Sequence, residues 1–156
     1  MRILVVFYSR TGNTRKAAEA IANQLGCEME EIFDTKKREG FLGYLVSGWD
    51  AAREKLTVLK EIRKDPKEYD LVIIGTPVWF FNIATPVRTY LVQNKDRLKD
   101  VAFFVTYGGS GGKGVLEKMA QLSGKRPVAL LSLREKEVLS GEFLSKIENF
   151  VAGLKG

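Results

Sequence analysis

The residues best placed to do chemistry form a short polar segment between the first apolar run and the first helical pattern. The segment comprises Ser9, Arg10, Thr11, Gly12, Asn13 and Thr14. Five of these six offer a hydroxyl, an amide or a glycine backbone where a helix begins. The first amide groups of a helix are unpaired and favour an anion. A simple helix cap needs only one such residue, so we predict a phosphate site here.

A second candidate segment carries three consecutive aromatic residues after the third apolar run. It comprises Thr76, Pro77, Val78, Trp79 and Phe80, and continues into Phe81 and Asn82. The aromatic residues lie past the predicted strand end and before the helix-entry pair Thr85-Pro86, so we expect them outside the sheet interior, at the surface. A flat ligand explains them better than core packing does, although aromatic faces also fill cores and interfaces.

A third candidate segment, rich in glycine, follows the fourth apolar run. It begins with Tyr107, Gly108, Gly109, Ser110 and Gly111. The spacing Gly109-x-Gly111-x-x-Gly114 matches a dinucleotide fingerprint, but that motif belongs after a first strand, so we disfavour it. It is not a P-loop either, because Gly114 stands where a Ser or Thr must follow Lys113. The glycines allow backbone to approach a flat ligand closely.

The composition excludes several kinds of catalytic side chain. Histidine is absent, which removes Ser-His and Cys-His nucleophiles and the usual imidazole metal sites. The single cysteine, Cys27, cannot form an internal disulfide. Asp34 and Glu142 show no paired spacing for acid–base work or for a metal. We therefore predict no catalytic side chain and no metal, and expect the chemistry to come from a bound cofactor.

These segments must be positioned by the elements around them. Continuous apolar runs at 3–8, 71–75, 101–107 and 128–133 predict strands buried on both faces, and a weaker run at 27–33 suits an edge strand. Helical patterns lie between them, at 15–25, 41–56, 85–98, 115–122 and 142–154. This alternation predicts an α/β doubly wound parallel sheet with helices on both faces. The length suits one domain over 1–156.

The first segment resembles the phosphate loop of the flavodoxin family, S/T-x-T-G-N-T, and the resemblance extends over the whole chain in element order and loop positions. It implies a five-stranded sheet in the order 2-1-3-4-5 that binds one FMN. The hydroxyls of Ser9, Thr11 and Thr14 and the amides of Gly12 and Asn13 would hold the phosphate.

The same resemblance assigns the other two segments to the flavin ring. Backbone from Thr76 to Trp79 would border the ring, and Trp79 or Phe80 would cover one face. The loop from Gly108 to Gly111 would close over the ring, with Tyr107 as a further stacking candidate.

Two redox functions follow from this resemblance. We favour an electron carrier of flavodoxin type; the alternative is an NAD(P)H-dependent FMN or quinone reductase on the same fold. A flavin-free binding domain is the least favoured, because all three cofactor loops are present. The first apolar run is too short for a signal peptide and no run could span a bilayer, so we expect a cytoplasmic protein without membrane contact.

The charge indicates what kind of partner such a protein meets. The net charge of +6 favours an acidic redox partner. The basic residues are dispersed and no recognised motif accompanies them, so we predict no nucleic-acid binding.

The segment from 36 to 59 has an apolar stripe at helical spacing. Its members are Phe41, Leu42, Leu45, Trp49, Ala52 and Leu56. We expect this stripe to pack on the sheet. The alternative is an exposed surface that contacts a second copy of the chain or an electron donor.

Overall fold

The computed structural model describes residues 1–155 and has a parallel sheet at its centre. The strands are β1 (Ile3–Phe7), β2 (Glu28–Glu31), β3 (Leu71–Trp79), β4 (Asn82–Ile83), β5 (Asp100–Tyr107) and β6 (Leu130–Arg134). The five parallel strands lie in the order β2-β1-β3-β5-β6, and β4 pairs antiparallel with the end of β3. The predicted order 2-1-3-4-5 is thus confirmed for the parallel strands, and β4 is additional.

Helices cover both faces of the sheet, as expected of parallel strands joined by crossovers. They are α1 (Asn13–Leu25), α2 (Gly40–Ala52), α3 (Thr85–Asn94), α4 (Gly112–Ser123), α5 (Glu135–Ser140) and α6 (Phe143–Lys155). One apolar cluster joins α1 and α6 to the sheet, and a second joins α3 and α4 to its other face. Within residues 1–155, no helix combines the length and hydropathy needed to cross a membrane.

Strands β3 and β4 form a hairpin at the end of the sheet where the predicted ligand loops meet. Trp79 pairs with Asn82, which leaves a two-residue turn of Phe80 and Phe81. Both turn residues have positive φ, 46° and 60°, as in a type I′ turn, which normally takes Asn or Gly. Bulky side chains are strained in this conformation.

The hairpin corrects the expectation that all three aromatic residues lie at the surface. Phe80 and Phe81 are exposed, but Trp79 is buried, with 8% of its surface accessible. The difference arises because β3 continues through Trp79 and is covered by its neighbours, whereas the chain reverses direction only after it.

Helix α2 shows that the expected packing of the apolar stripe is wrong. The residues that face the protein are Gly43, Ser47, Gly48, Asp50 and Ala51. A Cβ on Gly43 would lie 2.2 Å from the carbonyl carbon of Arg38, and one on Gly48 would lie 2.4 Å from the Phe80 ring. Because the helix backbone approaches its neighbours this closely, only small side chains fit beneath it. The large apolar residues face outward.

Candidate functional site

The loop between β1 and α1 leaves part of the helix N-terminus free of hydrogen-bond partners. Gly12 precedes α1 with φ of 103° and has no side chain with which to cap the helix. The Ser9 hydroxyl accepts hydrogen bonds from the amides of Gly12 (3.1 Å) and Arg15 (3.2 Å), so it shapes the loop from within. The amides of Asn13 and Thr14 remain available to an anion.

The two threonines of this loop differ in their surroundings. The Thr14 hydroxyl is buried and lies 2.7 Å from the Thr106 hydroxyl near the end of β5. Thr11 is exposed and lines the adjacent cleft. Thr11 is therefore the residue whose hydroxyl is free for a ligand, whereas the Thr14 hydroxyl ties the loop to the sheet.

A cleft of about 100 Å³ opens beside this loop at the carboxyl edge of the sheet. Its lining comprises Arg10, Thr11, Tyr44, Ser47, Gly48, Pro77, Val78, Trp79, Phe80 and Glu135. Six of these residues are among the predicted site residues. Four are not: Tyr44, Ser47 and Gly48 come from α2, and Glu135 begins α5.

The sequence holds a signal for some of the four lining residues that were not predicted. Glu135 directly follows β6, and the carboxyl ends of parallel strands share one edge of the sheet. The glycines that interrupt the apolar stripe of α2 mark its closely packed side. No sequence pattern distinguishes Tyr44 from the other large residues of that helix.

The aromatic residues of the hairpin have separate surroundings. The indole of Trp79 packs edge-on to Tyr8, with ring centres 5.4 Å apart, and the Arg38 guanidinium lies 5.1 Å from the centre of the indole ring. Phe80 is exposed and meets Tyr44 edge-to-face, with ring centres 6.2 Å apart. Phe80 and Tyr44 are thus the accessible aromatic rings of the cleft lining, and stacking of a ligand on Trp79 stays a prediction.

A buried charge network supports the cleft from behind. Arg38 donates to Asp34 (2.7 Å) and to Asp50 (3.2 Å), and all three side chains are buried. Burial opposes ionisation of Asp50, but Lys36 and Arg38 outweigh that effect and hold its pKa below the ordinary value. The network fixes the segment between β2 and α2 to the back of the site.

Two further groups join this segment to the first loop. The Arg10 guanidinium donates to the backbone oxygens of Arg38 (3.0 Å) and Gly40 (3.1 Å). Burial, reinforced by the nearby Asp34 carboxylate, raises the pKa of Tyr8 to about 12. Tyr8 therefore keeps its proton at neutral pH and serves as a neutral support behind Trp79.

The glycine-rich loop after β5 lies next to the cleft without forming its lining. A Cβ on Gly111 would lie 3.0 Å from the Phe81 ring, and one on Gly108 would lie 3.5 Å from a Glu135 carboxylate oxygen. The Tyr107 hydroxyl accepts from Nε of Arg134 at 3.3 Å. Gly109 and Ser110 are exposed at the tip of this loop, so their predicted contact with a ligand ring stays a prediction.

Thr76 supports the hairpin rather than the cleft. Its hydroxyl is buried, donates to the backbone oxygen of Pro77 (2.8 Å) and accepts from the amide of Ala84 (3.1 Å). Only its backbone remains as a candidate ligand contact.

The chemical character of these groups suits FMN. Free amides and the Thr11 hydroxyl suit a monophosphate, and the apolar and aromatic walls suit a flat ring. Among residues 1–155, no group of three or more acidic or cysteine side chains is arranged to hold a metal ion.

Comparison with known proteins identifies the family of this chain. Residues 1–142 match the family described as NADPH-dependent FMN reductase. A curated NAD(P)H dehydrogenase (quinone) from Archaeoglobus fulgidus is 29% identical over 94 residues, which is 58% of this chain. The match spans only about half of that relative, 49% of its length.

Solved structures show the same fold. A flavoprotein from Lactobacillus acidophilus, crystallised with FMN, is 25% identical with a TM-score of 0.74, over 89% of this chain and 97% of that one. An oxidised flavodoxin from Bacillus cereus is 19% identical with a TM-score of 0.58, over 98% and 96% of the two chains. The resemblance to flavodoxin-like proteins and the prediction of FMN are confirmed. The chain is an FMN-binding flavoprotein with the flavodoxin-like fold, and it belongs to the NADPH-dependent FMN reductase family.

Proposed function

We propose that this protein is an NAD(P)H-dependent reductase that uses FMN to reduce a quinone or a free flavin. The proposal rests on two structural features that lie side by side at one edge of the sheet. The N-terminus of α1 and the aromatic cleft between the β3–β4 hairpin and α2 share Arg10 and Thr11 as a common border. One feature suits a phosphate and the other suits flat rings.

The phosphate would be held mainly by backbone. The amides of Asn13 and Thr14 point from the first turn of α1, where the helix dipole favours negative charge. Thr11 adds an exposed hydroxyl. Ser9 keeps the loop in shape through its bonds to the amides of Gly12 and Arg15, so little ordering would accompany binding.

The ring would be held between the hairpin and the neighbouring loops. When bound, FMN accepts a hydride from a nicotinamide and passes electrons to an acceptor. Backbone at Pro77 and Val78 would border the ring, and Phe80 and Tyr44 would keep water from its exposed side. The Glu135 carboxylate lies at the far wall of the cleft, where it can accept a hydrogen bond.

Two observations favour the reductase over the electron carrier that the sequence suggested first. The family match and the Archaeoglobus relative both point to NAD(P)H chemistry. The mouth of the cleft is aromatic, with Phe80 46% exposed and Tyr44 50% exposed. Such a mouth suits a flat small molecule that stacks beside the cofactor.

The test is oxidation of NADPH and NADH by the FMN-loaded protein, measured with a small quinone or with free FMN as the acceptor. We expect many turnovers per protein with at least one nucleotide. Protein from which FMN has been removed is the control and should not oxidise either nucleotide with the quinone. If neither nucleotide is oxidised while an added reductase protein does reduce the bound FMN, the protein is a carrier and the proposal is wrong.

A further inference from the structure

A second cavity lies between the end of β1 and the segment that follows β2. Its volume is about 370 Å³, within the range of small-ligand pockets. It shares Arg10 with the cleft that we assign to FMN, so the two spaces adjoin. The segment from 33 to 39 forms one wall, and Lys60 completes it. The proposed binding of FMN leaves this cavity unused.

Basic side chains outnumber acidic ones around this cavity. The basic lining residues are Arg10, Lys36, Lys37, Arg38 and Lys60, and the acidic ones are Asp34 and Glu39. Lys36 and Arg38 belong to the buried charge network behind the cleft, where two carboxylates balance them. The excess of positive charge at the cavity therefore comes from the other three cations.

These three cations have no acidic partner in the described part of the chain. The side chains of Arg10, Lys37 and Lys60 lie beyond ion-pair distance of every carboxylate there. The carboxylate of Glu39 is the one that opposes them at the cavity, which leaves three positive charges against one negative charge, a net charge of about +2. A phosphate monoester carries a charge of about −1.5 to −2 at neutral pH. The charge of the cavity therefore matches one such group.

Backbone contacts hold the frame of this cavity in place. The Arg10 guanidinium is bound to the backbone oxygens of Arg38 and Gly40 through Nε and one terminal nitrogen, and its Nη1 group makes no hydrogen bond to residues 1–155. The amide of Lys60 donates to the backbone oxygen of Phe33 at 2.7 Å. Only the ends of the lysine side chains must therefore become ordered when an anion binds.

We propose, on the basis of the reductase function proposed above, that this cavity binds the ribose 2′-phosphate of NADPH and so favours NADPH over NADH. The exposed rings of Tyr44 and Phe80 form the mouth of the cleft, and the Arg10 guanidinium lies 5.5 Å from the centre of the Tyr44 ring. A nicotinamide at this mouth has Arg10 beside its pyrophosphate and the lysine-bearing cavity beyond it. The 2′-phosphate is the group that distinguishes NADPH from NADH, and ion-paired hydrogen bonds from Lys37 and Lys60 suit it.

The experiment compares two nucleotides on the FMN-loaded protein by titration calorimetry. Adenosine 2′,5′-bisphosphate carries the additional phosphate, and adenosine 5′-monophosphate lacks it. We expect the bisphosphate to bind at least about 10-fold more tightly. Lys37→Gln combined with Lys60→Gln should reduce this preference to about twofold or less. The matched control combines Lys95→Gln with Lys99→Gln: these exposed lysines lie before β5, at the opposite edge of the sheet, and their loss should leave the preference unchanged.

Turnover provides a second readout. We expect the KM for NADPH to lie at least about 10-fold below that for NADH, and the double variant of Lys37 and Lys60 to bring the two values together. Equal binding of the two nucleotides, or a preference that the lysine substitutions do not change, would overturn the 2′-phosphate site, even if the protein is a reductase. If neither dinucleotide is oxidised but the bisphosphate binds in a lysine-dependent way, the site stands and the reductase is wrong. Inorganic phosphate that displaces the bisphosphate at equal concentration would indicate a general anion site and overturn the assignment to NADPH.

Discussion

The hydroxyls of Thr14 and Thr106 lie 2.7 Å apart in the interior, where they join the first turn of α1 to the carboxyl end of β5. One of these residues was predicted to hold a phosphate, and the structure gives its hydroxyl a partner within the protein. The position of the loop between β1 and α1 against the sheet therefore depends on this pair.

Breaking the pair should destabilise the protein even without FMN. Thr14→Val and Thr106→Val each leave one buried hydroxyl unpaired, and each should lower the free energy of unfolding by about 1–3 kcal/mol. The double variant should lose less than the sum of the two, since no hydroxyl is then left unpaired. Urea unfolding of the FMN-free proteins measures this. Strictly additive losses would show that the two hydroxyls do not interact.

Thr11→Ala should weaken FMN binding and leave the stability of the FMN-free protein nearly unchanged. Its hydroxyl is exposed at the cleft, so the free energy of unfolding should change by less than about 0.5 kcal/mol. FMN binding should weaken by about 1.5–3 kcal/mol, the value of a hydrogen bond to a charged group. Riboflavin, which lacks the phosphate, should bind both proteins equally, and Thr35→Ala, exposed outside the cleft lining, should change neither affinity. An equal loss for riboflavin would place Thr11 at the ring instead.

Helix α2 lies very close to the backbone of the preceding segment, so we expect one added methyl group at Gly43 to destabilise the protein. Gly43→Ala should lower the free energy of unfolding by about 1–3 kcal/mol, because the new Cβ would meet backbone of Arg38 that cannot move easily. Gly153→Ala is the control: it lies in α6 with no atom within 4 Å of its Cβ position. That variant should gain about 0.5–1 kcal/mol from helix propensity. A neutral Gly43→Ala would contradict the packing of α2 described above.

The positive φ in the hairpin turn predicts that glycine gives a more stable protein than alanine at position 81. Phe81 has φ of 60° and is mostly exposed. Phe81→Gly and Phe81→Ala remove the same ring, but only glycine accepts positive φ without strain. We expect the glycine variant to be more stable than the alanine variant by about 1 kcal/mol in urea unfolding. If the alanine variant is the more stable, the turn does not have this conformation.

Much of the fold could be predicted because local patterns and global architecture agree. Buried parallel strands are apolar throughout, which made β1, β3 and β5 recognisable. The expectation that the run at 128–133 is buried on both faces is wrong, because β6 lies at the edge of the sheet and Leu130 is 50% exposed. Gly26 marks the end of α1, where the backbone turns left-handed. The hairpin was not predictable in this way. Its turn residues, Phe80 and Phe81, are among the least suited to positive φ, and only tertiary packing holds them there.

The candidate site was predictable where residue types alone mark it. The loop from Ser9 to Thr14 was recognised by its hydroxyls, amide and glycine, and its contact with a phosphate stays a prediction. The orientation of α2 was not, because an apolar stripe predicts only that the stripe is covered, and not by which surface. Glu135 was missed because its only signal is its position directly after β6, and a single carboxylate there does not by itself indicate a ligand. Tertiary contacts determine both the orientation of α2 and the position of Glu135 at the cleft.

The most direct test of the proposed reductase is anaerobic mixing of the FMN-loaded protein with NADPH, and separately with NADH, while the visible absorbance of the bound FMN is recorded. We expect at least one nucleotide to bleach this absorbance within a single turnover, and a quinone added afterwards to restore it. The Thr11→Ala protein, loaded at saturating FMN, should behave similarly, because its change concerns affinity. Bound FMN that keeps its colour with both nucleotides, yet is bleached by dithionite, would show that the protein is not an NAD(P)H-dependent reductase.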